Sequence, residues 1–529
     1  MPNILDDLPR GVAGRDLDQH KTPMATWKAG EQVAGDKSYH FAPDRLFIGQ
    51  AEGHLLGIKD DRHAMLVAGS RAGKGRSVIV PNLLEYRGSV LAIDPKGELA
   101  NITARRRGKG GNGIDGNYQI EGLGQRVVIL DPFDRTAPWV SEYKASYNPL
   151  SILDISSETI VEDASLIGDA LVIRSPNVSD PHWDDSARNF IEGVILHVAT
   201  YEDYAERRNL VTVWELIEKG AKGEGIEVGG ESDGMKNLAT EMIYNAQILA
   251  EKGYEDIASI IDAAFEDFFT KPLKERMSVL STARRHVKFL GFPKLRKVLT
   301  GHNFDLTDLK TAPEGITIYL CLPAGRMGNC NRWLRLFINL ALEAMEREEK
   351  KANPPVLLCL DEFPVLGHMQ QIEDAAGQIA GFGVKLWPVV QDLTQLKAIY
   401  KERWETFMGN AGVLQFFGNS DATTLEWVSK RLGKTSLIVE RGSHVAHGQA
   451  KTGATGESWS LEVQDLLTPD EVARFFRRND KFARQLVFYA DDAPVIIERV
   501  NYDEHKFFQH KFDPPSRVEE RPATVPLQS

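Results

Sequence analysis

The chain is poor in cysteine, has no long apolar run, and carries no excess of positive charge. Three cysteines in 529 residues, Cys321, Cys330 and Cys359, form no C-x-x-C pair. That excludes a disulfide scaffold and a cysteine zinc site, and it points to small buried hydrophobes in a reducing compartment. No stretch approaches the ~20 apolar residues that span a bilayer. The first residues, Met1-Pro2-Asn3-Ile4-Leu5-Asp6-Asp7, lack the basic and apolar regions of a secretory leader. The net charge is −12 and the pI about 5.7. A surface coated for duplex binding is thereby excluded, although a local basic channel or loop is not. What remains is an ordinary soluble composition, 42% hydrophobic and 26% charged, long enough for two or more domains.

Two segments carry the chemistry. The first is Met65-Leu66-Val67-Ala68-Gly69-Ser70-Arg71-Ala72-Gly73-Lys74-Gly75, an apolar strand running into a glycine-rich turn and a Gly-Lys pair. Gly69, Ser70, Arg71, Ala72, Gly73, Lys74, Gly75, Arg76 and Ser77 are the expected nucleotide-binding residues. Backbone N–H groups of such a loop wrap phosphate, and the Lys74 ammonium reaches the outer phosphates. Ala68 and Gly75 depart from G-x-x-x-x-G-K-[ST]. Gly75 removes the hydroxyl that ordinarily ligates Mg²⁺, a role left to water or to Ser77. The second segment is Pro355-Val356-Leu357-Leu358-Cys359-Leu360-Asp361-Glu362. Asp361 is expected to hold Mg²⁺ through water and Glu362 to orient the attacking water. Gln391, at the end of a later strand, is expected to sense the γ-phosphate. Together these predict an ATP- and Mg²⁺-dependent motor NTPase.

Along the chain, residues 1–45 read as an N-terminal arm, and 46–150 as the first part of an α/β nucleotide-binding domain. Helical patterns dominate 151–299. Strand–helix alternation returns over 300–512, and 513–529 reads as a disordered tail. Alternating strands and helices imply right-handed crossovers and a parallel sheet. Arg105-Arg106-Arg107-Gly108-Lys109-Gly110-Gly111-Asn112-Gly113 reads as a solvated loop or one that contacts nucleic acid. Arg284 to Lys297 reads as a basic helix–loop face, and His444 to Ser460 as a glycine- and serine-rich loop. Arg403 and Arg431 are default candidates for a transition-state arginine.

The phosphate loop is followed by Val80-Pro81-Asn82-Leu83-Leu84 and Asp94-Pro95-Lys96-Gly97-Glu98. Further on stand Tyr319-Leu320-Cys321-Leu322-Pro323, Leu360-Asp361-Glu362-Phe363, Val390-Gln391-Asp392-Leu393-Thr394-Gln395-Leu396 and Ser429-Lys430-Arg431-Leu432-Gly433. In this order and spacing, from Phe47 to Tyr502, they resemble the TraG family of type IV secretion coupling ATPases. The resemblance implies a RecA-like P-loop NTPase domain interrupted by an all-α domain associated with cargo. It implies a homo-hexamer that uses ATP and Mg²⁺ to move single-stranded DNA, a relaxase–DNA complex or effector proteins. The cargo would pass to secretion-channel and inner-membrane components. Family members typically carry transmembrane helices before this domain; the expectation here is a cytoplasmic member peripheral to the inner membrane. The alternatives are a duplex-DNA translocase of the FtsK or HerA kind and an ATP-gated cargo adaptor with little hydrolysis.

Overall fold

The computed structural model describes residues 25–114, 116–173, 182–221, 233–442, 457–490 and 492–515. The strands, in chain order, begin with β1 (Leu46–Ala51), β2 (His54–Ile58), β3 (His63–Ala68), β4 (Val90–Asp94) and β5 (Gly110–Asn112). They continue with β6 (Gln119–Glu121), β7 (Arg126–Leu130), β8 (Ile316–Cys321), β9 (Val356–Leu360) and β10 (Val384–Val390). The last are β11 (Ala411–Phe417), β12 (Lys434–Gly442), β13 (Glu457–Asp465), β14 (Arg484–Tyr489) and β15 (Val495–Glu498).

The chain divides into two compact units, one of residues 1–82 and 387–505, the other of 83–386 and 506–529. The division falls inside the segments expected to form one nucleotide-binding domain rather than at their borders with the helical region.

In the first unit the strand order is β2-β1-β15-β14-β11-β3-β10. β3 lies parallel to both β10 and β11, and is buried along its whole length. Runs such as His-Ala-Met-Leu-Val-Ala suit a strand covered on both faces. The outer strands are antiparallel, as expected for the β1–β2 hairpin and the closing pair β14–β15. Residues 25–45 are packed onto this sheet edge rather than hanging off it. Val33 and Tyr39 are buried, and Lys28 pairs with Asp36 and Asp492. Residues 1–24 lie outside the described residues. β12 and β13 form an antiparallel ribbon that the sequence reading missed. Most of the expected 444–460 loop lies outside the described residues.

In the second unit the order is β9-β4-β8-β7, all parallel. Cys321, Cys330 and Cys359 are buried and in no disulfide, as expected. Among the described residues no strand occurs between β7 and β8. Helices Ile160–Leu171, His182–Thr200, Leu210–Lys219, Asp233–Glu251, Glu255–Phe269 and Leu273–Val287 fill much of that span. Phe190 stacks on Phe268 with ring centroids 3.8 Å apart. Gly193 lets two of these helices touch, since a Cβ there would stand 2.3 Å from the Ala264 methyl. Part of the basic stretch at 284–297 is spent internally, while Lys288, Lys294 and Lys297 are exposed. Arg284 donates to the carbonyls of Ile217 and Glu218, and Arg285 and His286 pair with Asp184. Arg296 lies over Trp214.

The arginine run 105–107 is not a solvated loop. It forms the last turn of helix Glu98–Arg107, and the glycines after it make the small β5–β6 hairpin. Arg107 is fully buried. It donates to the carbonyls of Leu83, Tyr86 and Gly88 and to Gln125 and Thr317. Arg106 is buried beside Glu85 and donates to the carbonyls of Leu84 and Glu121. Arg105 is paired with Asp513, whose burial ties down the start of the expected tail; residues 516–529 lie outside the described residues. A planar five-donor fork is what lets one side chain close so many orphan carbonyls.

Arg107→Met is expected to destabilise the fold by about 3 kcal/mol or more, because the buried carbonyls of Leu83, Tyr86 and Gly88 each lose a donor, while Gly88 keeps another, from Gln125. Urea unfolding of variant and wild type measures it. A shift below about 1 kcal/mol would contradict the role assigned to Arg107.

Candidate functional site

The phosphate loop begins where β3 ends. Gly69 N–H donates to the Phe417 carbonyl (3.1 Å), and Ala72 N–H turns back to the Gly69 carbonyl (3.0 Å). Arg71 (φ 56°) and Gly73 (φ 93°) take the left-handed conformation that curls the backbone. For arginine that conformation costs about 1–2 kcal/mol, a strain typical of functional loops. Ser70 and Arg71 are exposed, and Lys74 is half-buried at the start of a π-helical turn, Gly75–Ile79.

Ser77 is buried, and its hydroxyl donates to the Gly73 carbonyl (3.0 Å), which braces the loop. Arg76 is held by Asp503 and Glu504. At Gly75 a Cβ would meet nothing within 4 Å, so the loop opens on free space where the common pattern places a hydroxyl. A curled backbone, a glycine-lined opening and one lysine are a donor set that fits a polyphosphate with its metal reached through water.

Gln391, singled out in the sequence, lies beside the loop in the same unit, and two further neighbours, Gly418 and Arg499, were not legible from motif spacing. Val390 pairs with Val67, which puts Gln391 level with Ala68. Its carbonyl is held by the Asn419 amide (3.0 Å), and its N–H donates to Gln395 (3.1 Å). Gly418 follows β11 and packs on Gly69; a Cβ on Gly69 would stand 1.8 Å from the Gly418 carbonyl oxygen. Arg499, just past β15, sends Nη1 to the Ala72 carbonyl (2.6 Å) and Nε to the Ala483 carbonyl (3.2 Å). Its guanidinium lies 4.5 Å from the Phe417 ring centroid. Arg499 thus clamps the turn of the loop. Nothing in its local sequence marks it, because its partner lies 427 residues away. Arg403 and Arg431 are exposed, Arg431 beside a depression lined by Met408 and Trp427.

In the second unit, β9 delivers Asp361 and Glu362 to a half-buried position at its carboxyl end. Glu362 is left-handed (φ 56°, ψ 42°), and its N–H donates to Asp361 Oδ1 (3.0 Å). The register of β4 against β9, Ile93 to Leu360, brings Asp94 level with Asp361. Asp94 is buried and accepts from Ala100 N–H (2.9 Å), anchoring the turn into helix Glu98–Arg107. Burial, with the like charge of Asp361 as a lesser cause, pushes its pKa up to about 6 against the pull of those amides. Lys96 of the same turn is exposed and pairs with the half-buried Glu98.

A buried parallel strand feeding a curled Gly-Lys loop defines the P-loop NTPase class. The chain matches the family described as Type IV secretory system Conjugative DNA transfer over residues 14–524, and it belongs to that family. It is 25% identical over 434 residues to the conjugal transfer protein TraG of Escherichia coli, covering 80% of this chain and 63% of that one. It is 24% identical over 466 residues to the protein VirD4 of Agrobacterium fabrum, covering 87% of this chain and 62% of that one. The chain therefore spans about three fifths of the length of these relatives. Among solved structures, the bacterial conjugative coupling protein TrwBdeltaN70 superposes with a TM-score of 0.60 at 14% identity, over 91% of this chain and 94% of that one. TrwB in complex with ADP and Mg²⁺ superposes with a TM-score of 0.58 at 14% identity, over 94% of this chain and all of that one. The fold is RecA-like. Among the described residues no helix is long and apolar enough to cross a membrane.

The raised pKa of Asp94 has a sign. The folded chain binds this proton more tightly than the unfolded chain. The stability contributed by the group is full below about pH 4 and is lost as pH rises through about 6. Asp94→Asn lacks this loss. Its stability relative to wild type should rise by up to about 2 kcal/mol between pH 4.5 and pH 7, read from urea midpoints at both pH values. A flat difference would contradict the assignment.

Proposed function

We propose that the chain is the ATP-hydrolysing coupling motor of a conjugative or type IV secretion system. It recruits single-stranded DNA, a relaxase–DNA complex or effector proteins and drives them toward the secretion channel. The observation that carries this reading is the phosphate loop, strained at Arg71 and clamped by Arg499, in a chain of the conjugative DNA transfer family. Lys74 follows the charge of the transferred phosphoryl group, and Gln391 donates to the γ-phosphate. Asp361 holds Mg²⁺ through water, and Glu362 orients and polarises the attacking water. ATP supplies the free energy, with Mg²⁺ neutralising the developing phosphate charge. Residues 46–150 and 300–512 make up the nucleotide-binding domain. The intervening 151–299 helices take the cargo-recognition role. The working assembly is a homo-hexamer at the cytoplasmic face of the inner membrane, docked on channel and membrane components.

Steady-state ATP hydrolysis tests the reading. Single-stranded DNA should stimulate it more than duplex DNA. Lys74→Ala and Glu362→Gln should each lower kcat at least 100-fold, as removing a transition-state contact does. Wild-type turnover in Lys74→Ala would overturn it. Arg499→Ala should raise the Kd for a non-hydrolysable ATP analogue about tenfold, the cost of one charge-assisted hydrogen bond to the loop, with partial recovery in Arg499→Lys. Unchanged affinity in Arg499→Ala would show that the clamp does not shape the loop.

A further inference from the structure

Between Arg474 and Arg484 the chain reads Arg-Phe-Phe-Arg-Arg-Asn-Asp-Lys-Phe-Ala-Arg, five basic side chains against one acid in a protein of net charge −12. Arg474, Arg477, Arg478 and Lys481 are exposed. Two large apolar rings stand among them: Phe475 is 41% exposed and Phe482 is 54% exposed. Water-facing phenylalanines ordinarily cost free energy, yet these two are not left to collapse inward. The Arg484 guanidinium lies 5.0 Å from the Phe475 centroid and 5.2 Å from that of Phe482, and Lys481 Nζ lies 4.7 Å from Phe482. Asp480, buried, fixes Arg484 by a two-pronged ion pair and so fixes the cation between the rings. The result is a pair of cation-backed aromatic rings rimmed by the exposed cations Arg477, Arg478 and Lys481, with Arg474 paired to Asp470.

We propose that this segment, Arg474 to Arg484, is a contact surface for single-stranded nucleic acid. Unpaired bases stack on Phe475 and Phe482, and backbone phosphates meet Arg477, Arg478 and Lys481. Exposed aromatic rings interleaved with cations suit a strand whose base faces are available, which a duplex does not offer. An acidic polypeptide would use the charges but leave the rings without a purpose.

The segment is also joined to the phosphate loop. Gly418 N–H donates to the Phe476 carbonyl (2.6 Å), and the same Gly418 packs on Gly69. On the other side, Arg499 holds the Ala483 carbonyl and the Ala72 carbonyl together. A strand bound here therefore rests on the backbone that curls around phosphate. The coupling rests on the motor reading above; the binding does not.

The test uses the full chain and a fluorescent oligo(dT), followed by anisotropy across a salt series. Phe475→Ala/Phe482→Ala should weaken binding at least tenfold with an unchanged salt slope, since stacking is worth about 1–3 kcal/mol per base. Arg477→Ala/Arg478→Ala should lower the slope of log affinity against log salt by about 1.4, because each phosphate contact on a single strand contributes about 0.7. An oligonucleotide carrying 5-iodouracil should photocrosslink to Phe475 or Phe482 in the unmutated chain, a readout that no folding defect can mimic. Wild-type affinity and slope in both double variants, or crosslinks only elsewhere, would overturn the proposal. So would failure of the wild type to bind oligo(dT) while it binds polyglutamate, which would give the surface to an acidic protein. None of these outcomes depends on whether Lys74→Ala abolishes hydrolysis, so the two readings fail separately.

Discussion

The phosphate loop is pressed against the end of β11 with no side chain between them, and much of the first unit's functional geometry follows from that contact. Gly69 must lack a Cβ because the Gly418 carbonyl fills its place, and Gly418, at φ 69°, must lack one because the Ala72 methyl fills its own. A larger residue at either position would force apart two strand ends held in register by a parallel ladder. Because the two backbones touch, short contacts link what surrounds them. The Phe476 carbonyl receives the Gly418 N–H, and Arg499 reaches the Ala72 carbonyl from the far side. The loop is curled by its own left-handed residues and held in that curl from two directions.

Backbone strain falls at both places where nucleotide chemistry is proposed, as it does at several other positions. Arg71 in one unit and Glu362 in the other are non-glycine residues in the left-handed region, each at the carboxyl end of a fully buried parallel strand. Such conformations persist only where packing over-determines them. Around Glu362 that packing includes β4, with Asp94 level with Asp361 and its carboxyl pushed upward by burial.

The sequence made some of this legible and hid the rest for physical reasons. The loop was readable because its signal is local: an apolar strand, a glycine turn and a lysine occupy eleven consecutive residues. The Asp-Glu strand was readable for the same reason, and so were the buried cysteines, which sit in apolar runs. Arg106 and Arg107 were misread because a run of arginines next to glycines looks solvated. What buries them is a set of carbonyls at Leu83 to Gly88 that no local pattern announces. That the Ser77 hydroxyl turns back on Gly73 was hidden as well, because the π-helical start of the helix decides it. Arg499 and Gly418 were invisible because their partners are hundreds of residues away. β12 and β13 were missed because the glycine- and serine-rich stretch between them drew the whole region into a loop reading.

The central claim is that nucleotide at the loop is felt at the aromatic–basic segment through Gly418 and Arg499. Hydrogen–deuterium exchange of the full chain, with and without a non-hydrolysable ATP analogue, tests it most directly. Slowed exchange over Gly69 to Ser77 accompanied by slowed exchange over Phe476 to Ala483 is the predicted result, with the second effect lost in Arg499→Ala. Protection of the loop with the second segment unchanged would contradict it.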